Sequence, residues 1–252
     1  MQHRTAAVPA FIRRALAFAI LACASFTAAA GAFGVSPIRV DLDPATRSAI
    51  ITVANDDDRK LYFQAKLFSW TQSAAGDDRL EENGDLIFFP QIFTVDAKDK
   101  RLVRVGVKSP PAGDERAFRL FIEEMPDPNE PAAGGAQIAV RLRFGVPVFV
   151  SSGKGEARPE IGPLDGAKGA LRVAIRNSGD RQIRFEELSA RAGDRVVAKT
   201  AGWYVFPGVT RAFSIPVARE DCPLPRSLEI RAVADGKEVR RTIDVPAAVC
   251  AP

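Results

Sequence analysis

The chain has 252 residues, is 46% hydrophobic and carries a formal net charge of +4 with a single histidine. That histidine, His3, belongs to an N-terminal segment with export features, so the mature chain has no imidazole for acid–base catalysis or metal ligation. Ser-His-Asp and Cys-His catalytic arrangements are therefore excluded, and the glycine-containing turns lack P-loop spacing. We expect a protein that is not an enzyme and that uses no cofactor and no metal.

Residues 1–32 have the pattern of a secretory signal peptide. The basic region, the apolar stretch and the cleavage site are formed by Arg4, Arg13 and Arg14, by residues 15–26 and by Ala30-Gly31-Ala32. The apolar stretch is shorter than the roughly 20 residues of a membrane helix, so we expect no stable membrane insertion after cleavage. A retained anchor or a lipidated Cys23 is the alternative. Cleavage removes three arginines and lowers the net charge from +4 to about +1, which gives no argument for nucleic-acid binding.

Two cysteines, Cys222 and Cys250, remain in the mature chain. An exported protein with two cysteines is expected to form one disulfide, and two free thiols are the alternative. By the loop-entropy model, this link would stabilise the C-terminal region by about 3 kcal/mol.

Short β-rich runs separated by Gly, Pro, Asn and Asp fill the mature chain, and almost no helical pattern is present. In the first half, the predicted strands are residues 34–42, 48–55, 61–71, 86–89, 92–95, 101–108 and 118–124. In the second half, they are residues 157–163, 170–177, 183–192, 195–201, 211–216, 227–234 and 237–245. This spacing is typical of β-sandwiches. We predict a first domain at 33–150, a Ser/Gly-rich linker at 151–155 and a second domain at 156–252.

Two of these runs, Ala49–Asn55 and Leu171–Asn177, resemble each other, and both end in Asn before a polar turn that contains Asp. We interpret them as equivalent strands of two similar sandwiches. The alternative is that any two β-strands would share such a pattern.

The most informative stretch is Gln137–Val150. Six apolar residues fall on one face of the predicted strand in strict alternation: Ile138, Val140, Leu142, Phe144, Val146 and Val148. Pro147 has no N–H to donate, which indicates a sheet edge or a bulge. A long apolar edge normally invites pairing with other chains. Either this edge is covered, or pairing with another chain is its function.

Three segments of the first half carry a family resemblance: Val35–Val40 followed by Ile50–Asn55, Leu86–Val95 followed by Arg101–Val105, and Arg116–Pro126 leading to the long strand. They resemble the periplasmic pilus-assembly chaperones of the chaperone–usher pathway, and Trp70-Thr71-Gln72 and Pro147–Val150 resemble the divergent spore-coat-like branch of that family. Their order and spacing match over about 120 residues, and the second half matches through position and size. The resemblance implies a periplasmic protein of two immunoglobulin-like sandwiches set at an angle.

The resemblance also implies a function and two partners. Such chaperones stabilise a pilus or fimbrial subunit by donating a β-strand to it and deliver it to an outer-membrane usher. The donor strand would present Ile138, Val140, Leu142 and Phe144 to the subunit. A secreted immunoglobulin-like adhesin or structural sandwich is the alternative function.

In the family, two basic residues bind the subunit's C-terminal carboxylate. Arg39 matches the first of them, and its planar fork suits a carboxylate. The second is a lysine of the long strand, which this sequence lacks; the closest register places Gly145 there, and Arg143 or Arg141 is the expected substitute. Glu115 matches an interdomain ion-pair acid. The aromatic residues Trp203, Tyr204 and Phe206 are interpreted as core and turn residues and are assigned no site.

Overall fold

The computed structural model describes residues 33–82, 84–109, 113–129, 140–167 and 169–250. The signal-peptide prediction for residues 1–32 and the predicted donor residue Ile138 lie outside this part of the chain. The fold is all-β, as the strand pattern predicts. The first ten strands are β1 (Phe33–Ser36), β2 (Val40–Leu42), β3 (Ser48–Asn55), β4 (Leu61–Gln72), β5 (Asp78–Glu82), β6 (Leu86–Phe89), β7 (Ile92–Val95), β8 (Lys100–Val107), β9 (Arg116–Met125) and β10 (Arg143–Val150). The last eight are β11 (Pro159–Ala167), β12 (Ala170–Asn177), β13 (Ile183–Ala192), β14 (Arg195–Ala201), β15 (Tyr204–Val205), β16 (Thr210–Pro216), β17 (Ser227–Ala234) and β18 (Lys237–Asp244).

The first ten strands form a sandwich of two sheets. One sheet has the order β1-β3-β8-β6, and the other has the order β2-β10-β9-β4-β5 with β7 also paired to β4. Residues 34–42, predicted as one strand, divide into β1 and β2, which belong to opposite sheets. This crossing places β2 beside β10, in parallel register.

The last eight strands form a second sandwich, with sheets β11-β12-β16 and β14-β13-β17-β18 and with β15 paired to β13. Cys222 and Cys250 form a disulfide that ties the short 3-10 helix Ala247–Cys250 to the sandwich. Val249 of this helix is buried in the second core.

Phe33–Pro252 form one compact unit with two hydrophobic cores. Trp70 of β4 and Phe149 of β10 belong to the first sandwich by strand pairing, yet both pack with the core residues of the second. The two sandwiches are therefore joined by an apolar contact, which covers part of the outer face of the sheet that contains β10.

The strand ends Asn55 and Asn177 make the same bonds in the two sandwiches. The Asn55 amide nitrogen donates to the carbonyl oxygens of Arg59 (2.7 Å) and Val95 (3.0 Å). The Asn177 amide nitrogen donates to the carbonyl oxygens of Arg181 (2.7 Å) and Val205 (3.0 Å). Each side-chain oxygen accepts the backbone N–H two residues ahead. The likeness between the two sequence runs thus corresponds to one buried network that occurs twice.

Replacing Asn55 or Asn177 by Ala leaves buried carbonyl groups without donors, so each change is expected to lower the free energy of unfolding by about 3 kcal/mol. Asn129→Ala, at an exposed position, is the matched control and should change it by less than about 0.5 kcal/mol. Urea denaturation followed by circular dichroism measures both. Equal effects at the buried and exposed positions would contradict the structural role.

Candidate functional site

One edge of β10 is only partly covered. β10 pairs with β9 along its whole length, from Arg143 opposite Glu123 to Val150 opposite Arg116. On its other side it pairs with β2 over Val148–Val150 alone. Within the part of the chain that the structure describes, residues 143–147 therefore have no strand partner on that side. Such an edge exposes backbone groups that another strand can bond.

The apolar row of β10 begins in the core and ends at the surface. Val146, Val148 and Val150 are buried in the first sandwich. Phe144 is 37% exposed and packs edge-on against Phe33, with ring centroids 5.2 Å apart. Val140, further out, is 77% exposed. The row predicted for one face thus has an inner half that fills its own core and an outer half that remains accessible.

The strand is shorter than the sequence predicted. Among the described residues, Val140, Arg141 and Leu142 precede β10 and are not in a strand. Leu142 is still attached to β9, because its carbonyl oxygen accepts the Glu124 N–H at 3.0 Å and its N–H donates to the Glu124 carboxylate at 3.4 Å. Alternation in the sequence continues through this segment, but the ladder between β9 and β10 begins only at Arg143.

The sheet that contains β10 has an outer face, opposite the first core, and three arginines lie on it near β10. Side chains that alternate with the buried residues of β2, β9 and β10 point to this face, and they include Arg39, Arg119 and Arg143. Arg119 lies opposite Pro147 on β9. Because Val40 lies opposite Val148, Arg39 is level with Pro147 on the other side. Arg39 and Arg119 therefore flank Pro147, with backbones roughly 10 Å apart across two strand spacings.

Arg143 lies four residues before Pro147, which is roughly 13 Å along the strand. Its Nε donates to the Glu123 carboxylate at 2.7 Å, and its guanidinium carbon lies 3.6 Å from the centroid of the Phe121 ring. The structure does not bring Arg143 to Arg39, the residue with which the sequence paired it. Arg141 is exposed and precedes the strand.

Arg39 is half-buried and already engaged. Its Nε and Nη2 donate to the two carboxylate oxygens of Asp41, at 2.8 and 2.7 Å. Its guanidinium carbon lies 4.9 Å from the centroid of the Phe149 ring. Burial acts to lower the pKa of Arg39, but the hydrogen bond and the negative charge of Asp41, with smaller contributions from Tyr204 and Asp235, together raise it.

Arg119 has a different environment. Its guanidinium carbon lies 4.0 Å from the ring centroid of Trp70 and 5.4 Å from that of Trp203. Its Nε is buried, and among the described residues it has no hydrogen-bond partner. Burial lowers the pKa of this guanidinium, and the Asp78 carboxylate acts in the opposite direction. A guanidinium that packs against aromatic rings, and that has no salt bridge among the described residues, is suited to attract an anion.

Gly145 gives the Phe121 ring its room and also lies beside Arg119. A Cβ atom at Gly145 would lie 2.7 Å from the Phe121 ring, which is too close, and 3.5 Å from Cδ of Arg119, which is ordinary contact. The position where the sequence expectation placed the missing lysine is therefore adjacent to the stem of an arginine from the neighbouring strand.

The two tryptophans beneath Arg119 are both held by Asp78. The indole Nε1 of Trp70 donates to one carboxylate oxygen at 3.1 Å, and that of Trp203 donates to the other at 2.7 Å. Arg211 of the second sandwich also reaches this carboxylate, at 3.4 Å. A single carboxylate thus orients aromatic rings from both sandwiches.

Gln72, at the end of β4, joins the sandwiches beside Asp78. Its amide nitrogen donates to Asp78 at 2.9 Å and to the Tyr204 carbonyl oxygen at 3.0 Å, and its amide oxygen accepts the Phe206 N–H at 2.9 Å. Tyr204 and Phe206 also pack edge-on against Trp70. Tyr204 and Phe206 are thus buried core residues at the junction of the two sandwiches, as the sequence predicts, and Trp203 lies beside them against Trp70.

Sequence reasoning missed Arg119 and Asp78 and their contacts with Trp70 and Trp203. Arg119 alternates with the buried residues Phe118 and Leu120, and that pattern alone could have marked it as an outward-facing cation. The pattern does not show that Trp203 lies against the same face, because that contact joins residues more than 80 positions apart. Among the described residues, no cluster of potential ligands for a metal ion is present.

Glu115 contacts the second sandwich on another side of the junction. One carboxylate oxygen lies 3.4 Å from Nη2 of Arg181, and the other accepts the Gln182 N–H at 2.9 Å. Its side chain is 1% exposed. Burial raises the pKa of Glu115, although the Gln182 N–H and Arg181 oppose the shift.

The raised pKa of Glu115 predicts a pH dependence. Because the folded protein binds this proton more readily than the unfolded chain, the stability of the wild type relative to Glu115→Gln should increase as the pH falls from 7 toward 4.5. Urea denaturation of both proteins at several pH values measures the difference between their free energies of unfolding. The contributions of the other carboxyl groups cancel in this difference. A difference that is constant or that shrinks on acidification would contradict the assignment.

The first sandwich is similar to a known family of proteins. Residues 32–152 match the family model described as pili and flagellar-assembly chaperone, PapD N-terminal domain. Among curated protein sequences, none matches the chain. No helix in the described part of the chain is long and apolar enough to cross a membrane.

Several solved structures have a similar fold. One is the CsuC–CsuE complex of a chaperone and a tip subunit from the archaic chaperone–usher Csu pili of Acinetobacter baumannii, with 18% identity, a TM-score of 0.62, and coverage of 85% of this chain and 99% of that chain. The CupB2 chaperone of Pseudomonas aeruginosa has 16% identity, a TM-score of 0.55 and coverage of 84% and 100%. The SafB chaperone in complex with the SafA pilin of Salmonella enterica has 14% identity, a TM-score of 0.55 and coverage of 85% and 97%. At these identities, the likeness concerns the fold.

Proposed function

Because residues 32–152 carry the N-terminal domain of the pili and flagellar-assembly chaperones, we propose that this protein is a periplasmic chaperone for a pilus subunit. It binds the subunit by adding β10 and the residues before it to the subunit's sheet, and it delivers the subunit to an outer-membrane usher. We also propose that residues 33–150 form the first domain, residues 151–155 the linker and residues 156–252 the second domain.

The observation that carries the proposal is the half-open edge of β10 with its accessible apolar row. Strand addition needs unpaired backbone groups for affinity and alternate side chains for specificity, and donor-strand complementation of pilins is a known example. Val140 and Phe144 are exposed and Leu142 is half-buried, so all three can gain burial in a partner's groove. Complete burial of such a side chain contributes about 1.5–3 kcal/mol. Ile138 would extend the row.

The unpaired edge of β10 ends at Pro147, which lies between Arg39 and Arg119. A partner strand along residues 143–147 would stop where β2 begins to pair with β10, at Val148. If it ran parallel to β10, its C-terminus would reach the row that contains Arg39, Pro147 and Arg119. We propose that Arg39 and Arg119 bind the terminal carboxylate. Arg119 replaces Arg143 in this role, because Arg143 lies further along the strand and is paired with Glu123.

Co-expression with a pilus subunit followed by size-exclusion chromatography tests the function. A soluble one-to-one complex is expected. Self-association of the protein without a subunit, or polymerisation into fibres, would instead favour the adhesin or structural alternative.

Val140→Asp is expected to weaken subunit capture at least tenfold, because the new charge would have to enter an apolar groove. The melting temperature should not change, since Val140 is exposed and outside a strand. Val196→Asp places the same charge on an exposed residue of β14 and should capture the subunit normally. Equal capture by the two variants would rule out this residue as part of the donor segment.

Arg119→Gln is expected to raise the dissociation constant for the subunit about tenfold, the value of one charge-assisted hydrogen bond. Arg143→Gln, which removes the same charge from the same face, should have little effect. Titration of each purified variant with the subunit, alongside its thermal melt, makes the comparison. A larger loss with Arg143→Gln would return the second basic role to Arg143.

A further inference from the structure

Among the described residues, the two arginines that flank Pro147 differ in one respect: Arg39 has a carboxylate partner, and the buried Nε of Arg119 has no hydrogen-bond partner. Asp41 fills the Arg39 fork with both of its oxygens, at 2.8 and 2.7 Å. This is the bidentate geometry that an arginine offers to a carboxylate from a ligand. The Asp41 carboxylate therefore occupies the place that a bound terminal carboxylate would take.

Resting on the proposed function, we propose that Asp41 is an internal placeholder that caps Arg39 in the free chaperone and is displaced by the carboxylate of the bound subunit. Arg39 and Asp41 are two residues apart and share the outer face of the sheet. The backbone of Asp41 is fixed opposite Phe149, so exchange requires only a change of side-chain rotamer.

The bond to Asp41 is weak enough to exchange. The Arg39 and Asp41 side chains are 28% and 47% exposed, and ion pairs open to water to this degree contribute at most about 1 kcal/mol. Among the described residues, the Asp41 carboxylate has hydrogen bonds to Arg39 alone. It can therefore leave the fork and be hydrated without breaking another contact.

The cap gives selectivity for a tethered carboxylate. A small anion in solution must compete with Asp41, which is always adjacent to Arg39. A subunit already paired along the open edge holds its carboxylate at a high effective concentration beside the fork, so it can displace Asp41. Arg39 would then respond to a docked strand and ignore free anions.

The test uses the full mature protein and sodium acetate as the probe. Arginine Nε–Hε resonances are followed by NMR during titration with acetate against sodium chloride at constant ionic strength. In the wild type, the Arg39 resonance should move little. In Asp41→Asn, the Arg39 resonance should show a saturable shift, with an affinity for acetate roughly fivefold higher than in the wild type. This factor corresponds to the free energy of the Arg39–Asp41 ion pair. Fluorescence of the two tryptophans, which lie under Arg119, should respond equally in both proteins.

A matched control is Glu156→Gln, which breaks an Arg158–Glu156 pair with the same spacing of two residues; it should leave the Arg39 response unchanged. Asp41→Ala provides a second variant if Asp41→Asn is poorly folded by circular dichroism. An Arg39 response to acetate that is equal or weaker without the Asp41 carboxylate would overturn the proposal and make Asp41 a positioning residue. The acetate experiment needs no subunit, so its failure leaves the chaperone function standing. Failure of the wild type to capture subunits would overturn the chaperone function, and with it the subunit as the displacing ligand, whatever the result with acetate.

Discussion

β10 is bonded unequally on its two sides, and the rest of the structure depends on that difference. β9 pairs with it over eight residues, and β2 pairs with it over three. The long pairing fixes Val146 and Val148 in the core, so the strand cannot leave its own sandwich. The short pairing leaves residues 143–147 without a strand partner on that side among the described residues. The proposed strand donation depends on this division, because the same strand would be part of one core and a supplement to another.

The two arginines level with Pro147 differ in how they are held. Arg119 packs against two indole rings whose N–H groups donate to Asp78, so contacts within the protein set its position. Arg39 is held by the Asp41 carboxylate, which among the described residues is bonded to Arg39 alone. Under our two proposals, a subunit carboxylate would meet Arg119 in a fixed position and would have to displace Asp41 from Arg39.

The second sandwich has a part in this arrangement. It supplies Trp203 to the stack with Arg119 and supplies the backbone groups that hold Gln72. The repeated Asn network shows that both sandwiches contain the same buried bonds, yet Arg119 contacts Trp203 only because the second sandwich lies against the outer face of the first sheet.

The sequence by itself determined the all-β class, most strand positions and the apolar row of the edge strand, because alternation and turn residues are local signals. It identified Arg39 and Glu115 through a family resemblance. It could not find where β10 begins, because strand pairing with β9, and not alternation, decides that Val140 and Leu142 lie outside the ladder. It paired Arg39 with Arg143, although these two residues lie at different heights along the sheet. It missed Arg119, which lies level with Arg39 on the other side of Pro147. Register between strands distant in sequence, and the contact of Trp203 with Trp70, are decided only by tertiary structure, since no local pattern encodes which residues end up level across a sheet.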